Sequence, residues 1–186
     1  MRTLIHVVHT SLDGRICGPE GEFDWPQMGP ELSAHSIALH DRLDTLLYGR
    51  VVWQMMESYW PTADQHSDHP HDTAYAPLWR ATEKVVVSRT LEQVDQPNTE
   101  LVREDVHARI RQLKDRPGGD IVLMGGAGLA GDLAAAGLVD ELQIAVHPVV
   151  LGGEHAALPA PTRLDFDLQG TRTYDGRVVL STYRRA

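Results

Sequence analysis

The segment Met124-Gly125-Gly126-Ala127-Gly128-Leu129-Ala130-Gly131 sets a glycine-rich turn between an apolar run, Asp120 to Met124, and a small-residue helix, Leu129 to Ala136. That arrangement is suited to binding an anion. Glycines let several backbone N–H groups close around a phosphate with no Cβ in the way, and a helix start adds unpaired N–H groups and the positive end of its dipole. A diphosphate is the natural guest. Gly126, Gly128 and Gly131 also satisfy G-x-G-x-x-G, yet only about 55 residues follow Gly131, too few for the two βαβ halves of the common dinucleotide-binding domain. The nearest acids, Asp140-Glu141, open the next strand instead of ending one, so they are not placed to grip a ribose. The turn therefore completes a site begun earlier in the chain. The competing reading is a tight turn that only allows close helix packing.

Other chemistry-bearing residues are scattered. His66, Asp68, His69, His71 and Asp72 crowd the polar stretch Thr62 to Asp72 with ligand types suited to zinc or nickel. Their spacing is irregular and Pro70 interrupts them, so no metal site is expected; a solvated loop, or a lid over a pocket, fits better. Trp53, Met56 and Trp60 form a stripe whose default is core packing, with Val51-Val52-Trp53 placed to wall a groove.

Composition narrows the partners. The chain has 186 residues, enough for one domain spanning 1–186 with a sizeable core. Its 26 acidic against 17 basic residues give a net charge of -9, which disfavours nucleic acid and anionic membranes. Cys17 stands alone, excluding a disulfide framework and fitting a reducing cytoplasm. No apolar stretch approaches the roughly 18 residues of a membrane helix.

The elements that must position these residues alternate. Thr3–His9, Thr45–Tyr48, Lys84–Ser88, Ile121–Met124 and Asp140–Val150 read as strands; Ser33–Leu43, Val51–Trp60, Glu104–Lys114 and Leu129–Ala136 read as helices. That order predicts an α/β fold with a mainly parallel sheet. Asp165–Tyr174 and Arg177–Arg184 flank Asp175-Gly176, a hairpin signal, so the C-terminal edge turns antiparallel. Pro159-Ala160-Pro161 reads as a loop.

Five features now stand in one order: Ser11-Leu12-Asp13-Gly14, Gly49-Arg50, Ser88-Arg89-Thr90, Gly125-Gly126-Ala127-Gly128, and Val139-Asp140-Glu141-Leu142 with Pro148 to Gly153. Together they resemble the dihydrofolate reductase-like superfamily, and more closely the reductase domain of the bifunctional riboflavin-biosynthesis deaminase-reductase and its stand-alone bacterial relatives. The resemblance covers nearly the whole chain. It implies a three-layer α/β/α fold with a mixed central sheet, an NADPH-dependent reductase, a small-molecule substrate, and a homodimer. The implied cofactor set is His9, Ile16, Gly49, Arg50, Ser88, Arg89, Thr90, Gly125, Gly126, Ala127, Gly128 and Leu129, with the backbone of Val8 and His9 beside the nicotinamide amide. Residue chemistry agrees on the phosphate. An arginine at a helix start is poorly placed for the dipole unless an anion joins it, and Ser88-Arg89-Thr90 supplies donors for a 2′-phosphate where a free ribose would prefer a carboxylate.

The proton donor is missing. Where dihydrofolate reductases carry a carboxylate shortly after a tryptophan, Trp25 here is followed by Pro26-Gln27-Met28-Gly29-Pro30, and the register falls on Pro30. Glu31 is one position off and Asp24 precedes the tryptophan; Asp13 and Glu31 are the remaining acid candidates. Arg15, Arg42 and Arg163 are candidates for a substrate phosphate by charge alone. Three function classes follow: a reductase most like 5-amino-6-(5-phosphoribosylamino)uracil reductase or one acting on another substrate; a catalytically silent NADP-binding dimer; and a metal-binding protein built on the histidine stretch.

Overall fold

Alternating side chains decide the architecture. A computed structural model describes residues 1–186. In it Leu4, Leu47, Val85, Ile121 and Leu123 face one way and Ile5, Leu46, Val86 and Val122 the other, so a single sheet is buried on both faces. Its eight strands are β1 (Leu4–Thr10), β2 (Leu43–Gly49), β3 (Glu83–Val87), β4 (Thr99–Val102), β5 (Asp120–Met124), β6 (Glu141–Val146), β7 (Phe166–Tyr174) and β8 (Val178–Arg185). They run in the order β4-β3-β2-β5-β1-β6-β8-β7. The first six are parallel; β8 is antiparallel to β6 and to β7.

Helices α1 (Pro30–Leu39), α2 (Arg50–Tyr59), α3 (Ala63–His66) and α4 (Pro70–Ala81) precede β3, while α5 (Val106–Asp115) and α6 (Ala127–Ala135) come later. One core joins α1, α2 and α4 to the sheet through Leu39, Trp53, Tyr75 and Trp79; the other uses Ile110 and Leu113 of α5 and Ala130, Leu133 and Ala134 of α6. The result is three layers, as expected. Trp53 stacks on Trp79 at 6.0 Å, and Trp79 Nε1 donates to the Tyr48 hydroxyl at 3.0 Å, so both large side chains are fixed and satisfied.

Several boundaries differ from the sequence expectation. The first helix begins at Pro30, with proline in its first turn, and stops at Leu39, leaving Leu43 to open β2 instead of ending a helix. The sixth helix starts at Ala127, inside the glycine turn, because Gly126 takes a positive φ of 92° as its N-cap. The strand expected over Asp140–Val150 stops at Val146, where β1 ends and pairing is lost. Thr62–Asp72 is not a loop: α3 and the start of α4 occupy most of it, with Pro70 in the first turn of α4 and the His69 imidazole accepting from the His71 amide. Strand β4 went unread because it is four residues long and includes Thr99 and Glu100 at the sheet edge. The hairpin is where it was expected, with Asp175, Gly176 and Arg177 joining Tyr174 to Val178; Asp175 and Gly176, at φ 54° and 63°, form the centre of a turn closed by the Arg177 amide donating to the Tyr174 carbonyl.

Parallel pairing has one consequence for function. The carboxyl ends of β4, β3, β2, β5, β1 and β6 lie side by side on one edge of the sheet, and Arg103, Ser88, Arg50, Gly125, Ser11 and His147 each follow within a residue or so. Arg42 and Asp120, paired at 2.7 Å, lie at the opposite edge, before β2 and at the start of β5.

Candidate functional site

Two helices start almost in contact. A Cβ built on Gly126 would lie 3.1 Å from the Gly49 nitrogen and 3.2 Å from its Cα, so the turns after β2 and β5 meet backbone to backbone. Gly49 is the N-cap of α2 and Gly126 that of α6; neither helix has a side-chain cap or an acidic residue in its first turn. The first-turn amides of both therefore stay free for an external acceptor. Gly125, at φ 78°, has little room for a side chain: a Cβ there would lie 3.1 Å from Val52 Cγ2. Gly131 serves a different purpose: a Cβ there would strike the Pro159 carbonyl at 2.4 Å, so it permits α6 to pack on the loop over 159–160.

Beside these turns lies a cavity of about 180 Å³, lined by 17 residues of which 12 are hydrophobic. Val7, Val8 and His9 of β1, Ile16 and Phe23 of the following loop, Val51 and Val52 of α2, and Gly125 to Ala127 form much of its wall. A second, smaller cavity of about 30 Å³ sits under α1 and shares Val7, His9 and Met124 with the first. That volume holds about one water. Of the chain's five methionines, Met28, Met55, Met56 and Met124 line one or both cavities.

Histidines dominate the polar part of this corner. His9 Nδ1 lies 2.8 Å from His147 Nε2, and Trp25 meets the His147 ring edge-on at 5.3 Å. Burial, then the neighbouring His147, pushes His9 down to about 3; burial pushes His147 down to about 4, with Arg177 adding to it. His6 Nδ1 is 3.2 Å from the Leu123 carbonyl, and burial lowers its pKa to about 4. The buried side-chain atoms left without a partner are His6 Nε2, Arg15 Nε, Trp25 Nε1 and His147 Nδ1. All four sit on β1, on the loop after it, or just past β6. Unpaired buried polar atoms cost about 1–3 kcal/mol each, so their concentration marks a place completed by water or ligand.

The two acid candidates have other work. Asp13 accepts from Ser11 Oγ at 2.6 Å and from the amides of Leu151 and Gly152 at 3.1 and 2.8 Å, stapling the loop after β1 to the loop after β6. The Ser11 hydroxyl, then the Leu151 amide, hold its carboxyl down at about 2. Glu31 accepts from the Asp175 amide at 2.6 Å and lines neither cavity.

Farther along the edge, Ser88 Oγ accepts from the amides of Thr90 and Leu91, shaping the turn that exposes Arg89. Arg89 and Arg103 share an open hollow of about 530 Å³ with Leu101 and Glu104. Arg50 is exposed and donates to Gln54 Oε1 at 3.0 Å. Arg163 pairs with Asp165 at 2.8 Å and Arg42 lies on the far edge, so neither joins the site. The crowded histidine stretch is dispersed: His71 Nδ1 meets Ser33 Oγ at 2.9 Å, Asp72 accepts from Tyr59 and Ser67, and no three ligand-type side chains converge to hold a metal ion. Trp53 turns into the core, leaving Val51 and Val52 to wall the cavity.

Sequence reading missed His6, Cys17, Phe23, Met55, His147 and Arg103. Each of His147 and Arg103 directly follows a strand of the parallel set, but the strand before Arg103 went unread and the strand expected over Asp140–Val150 ran through His147, so neither carried a usable signal.

Comparison with known proteins bears on the family and the fold. Residues 2–180 match the RibD C-terminal domain. The uncharacterized protein YyaP of Bacillus subtilis (strain 168) is 32% identical over 98% of this chain and 94% of its own length. Among solved structures, a protein from Shewanella sp. PV-4 ascribed to riboflavin biosynthesis superposes with a TM-score of 0.77 at 24% identity, covering 99% of each chain. Dihydrofolate reductase from Enterococcus faecalis, complexed with NADP(H), superposes with a TM-score of 0.64 at 16% identity over 98% of this chain and 96% of that one. The likeness to these two structures is one of fold.

Proposed function

The chain belongs to the RibD C-terminal domain family, and on that premise we propose that it is an NADPH-dependent reductase of a small heterocyclic or ribosyl substrate, most like 5-amino-6-(5-phosphoribosylamino)uracil reductase. The observation that carries this reading is the backbone contact of Gly49 with Gly126. It brings two uncapped helix starts to one point beside an apolar cavity, a cradle that a Cβ at either glycine would narrow. The diphosphate takes the amides of Arg50 to Val52 and Ala127 to Leu129. From β3 to β1 is three strand spacings, about 14 Å along the edge, which suits an extended dinucleotide. Its 2′-phosphate then reaches Ser88, Arg89, Thr90 and Arg103, and its ring enters the cavity beside Val8, His9 and Ile16.

When bound, the reduced nicotinamide supplies a hydride. The protein's part is to hold that ring in a dry, mostly apolar pocket and to orient the acceptor against its open face. Thermal denaturation with NADPH, NADP⁺ and NADH tests the reading directly. NADPH should raise Tm well above the shift given by NADH; no shift with NADPH or NADP⁺ at concentrations far above micromolar rejects it.

A second reading, a nucleotide-binding dimer without turnover, draws on the engagement of both Asp13 and Glu31 in backbone contacts. NADPH binding with no oxidation in the presence of candidate substrates distinguishes it. Pairing of two copies belongs to both readings and is measured by sedimentation velocity.

A further inference from the structure

His9 occupies a position that no other polar side chain shares: it lines both the cavity assigned to the cofactor ring and the small cavity under α1. Its Nδ1 is taken by His147 at 2.8 Å, while its Nε2 has no protein partner and is not among the fully enclosed unpaired atoms. The proton inventory of the pair then fixes what His9 offers. With both rings neutral, one N–H lies between them and each ring has one proton in total. If His9 donated that hydrogen bond, His147 would carry its own proton on Nδ1, a buried donor facing no acceptor. Stranding a buried N–H is the rarer arrangement in folded proteins. The reverse assignment leaves Nδ1 of His147 as a bare lone pair, has its Nε2–H donate to His9 Nδ1, and puts the His9 proton on Nε2, open to the cavities.

We propose that His9 is the residue that engages the reacting group, presenting Nε2–H to the carbonyl oxygen or imine nitrogen of the bond being reduced, and that His147 is the positioning residue that holds it in that form. This rests on the reductase reading. A bound reduced nicotinamide would supply the hydride to the carbon of C=O or C=N, and the π electrons would move to the heteroatom. The hydrogen bond from His9 stabilises that developing charge, and the heteroatom takes its proton from water, for which the cavity under α1 has room. Hydroxide passes to solvent, the oxidised nicotinamide leaves, and both imidazoles end as they began. A ring held neutral suits this role, since donating a hydrogen bond needs no change in its charge. The position left empty by the misplaced helix carboxylate is thus served from β1.

The test uses the intact chain. Imidazole ¹⁵N–¹H correlation spectra should show His9 and His147 both protonated on Nε2, and His147→Leu should leave the His9 tautomer mixed. Far-ultraviolet circular dichroism and a cooperative thermal transition matching the parent's should certify that His9→Phe and His9→Gln fold. The acceptor panel is 5-amino-6-(5-phosphoribosylamino)uracil, dihydrofolate, 1-pyrroline-2-carboxylate and simple aldehydes and ketones. On any that is reduced, His9→Phe should lose about 100-fold in kcat with a smaller change in KM, and His9→Gln, which keeps a donor, should recover to within about tenfold of the parent. An Nδ1-protonated His9, unchanged kcat in His9→Phe, or no reduction of any acceptor overturns the proposal. Failure of the parent to bind NADPH removes the reductase reading itself, whereas normal turnover in His9→Phe removes only the role of His9.

Discussion

Glu31 and Asp175 close a reciprocal contact across 144 residues: the Asp175 carboxylate accepts from the amides of Glu31 and Leu32 at 2.9 and 3.1 Å, and the Glu31 carboxylate accepts from the Asp175 amide at 2.6 Å. The hairpin turn thereby caps α1 much as a capping box would, from a distant element. It anchors Leu32 against Tyr174, Val178 and Leu180, and so fixes the helix that roofs the smaller cavity.

Asp175→Ala should therefore destabilise the fold by about 1 kcal/mol, the usual worth of an N-cap, while Glu31→Gln should leave any reductase turnover within about twofold. Urea denaturation and steady-state rates check the two halves. A large loss of kcat in Glu31→Gln would return that residue to the acid role.

Arg89→Ala should weaken NADPH about tenfold and NADH much less, by loss of one charge-assisted contact to the 2′-phosphate. Isothermal titration decides it. Equal losses for the two nucleotides would remove the 2′-phosphate assignment.

Gly126→Ala adds a Cβ 3.1 Å from the Gly49 nitrogen at a positive φ, so about 1–3 kcal/mol of stability should go with it. NADPH affinity should fall further than that of the Arg89 variant, because the cradle itself is displaced. Full retention of affinity would place the diphosphate elsewhere.

Acid sensitivity follows from the histidines. His6, His9 and His147 have folded pKa values lowered to about 4, 3 and 4, so between those values and about 6.5 the unfolded chain binds protons that the folded chain does not. Their contribution is intact above pH 6.5 and is lost as pH falls toward 4, at up to about 1.4 kcal/mol per pH unit per imidazole. His6→Leu should flatten that slope in urea melts run between pH 7 and 4.5.

The carboxylate of Asp13 acts in a lower window. Its pKa is depressed to about 2, so its loop staple is complete above about pH 4 and lost as pH falls through 2. The Tm gap between the parent and Asp13→Asn should be largest above pH 4 and close at pH 2.

What the sequence disclosed divides by range of interaction. Local signals were plain: the short apolar runs of β1, β2 and β5, the glycine turn, and the hairpin at Asp175-Gly176 all act within a few residues. The α4 helix was hidden by Pro70, which reads as a breaker but here takes the first turn, and by Pro77 within it. Long-range facts had no local trace. Nothing near Glu31 announces Asp175, and nothing near His9 announces His147, 138 positions away. For the same reason Gly49 was read as a helix start, while its contact with Gly126 emerged only once β2 and β5 were seen side by side.

The four internal methionines give the paired cavities an unusually compliant surface. Thioether chains without branches can re-form around rings of different outline at small cost, so the shape of the acceptor is weakly enforced from that side. Discrimination then falls to the few rigid polar groups that remain. On the reductase reading, a new substrate would thus need only a handful of replacements in the lining, with the scaffold and the proposed nucleotide end left as they stand.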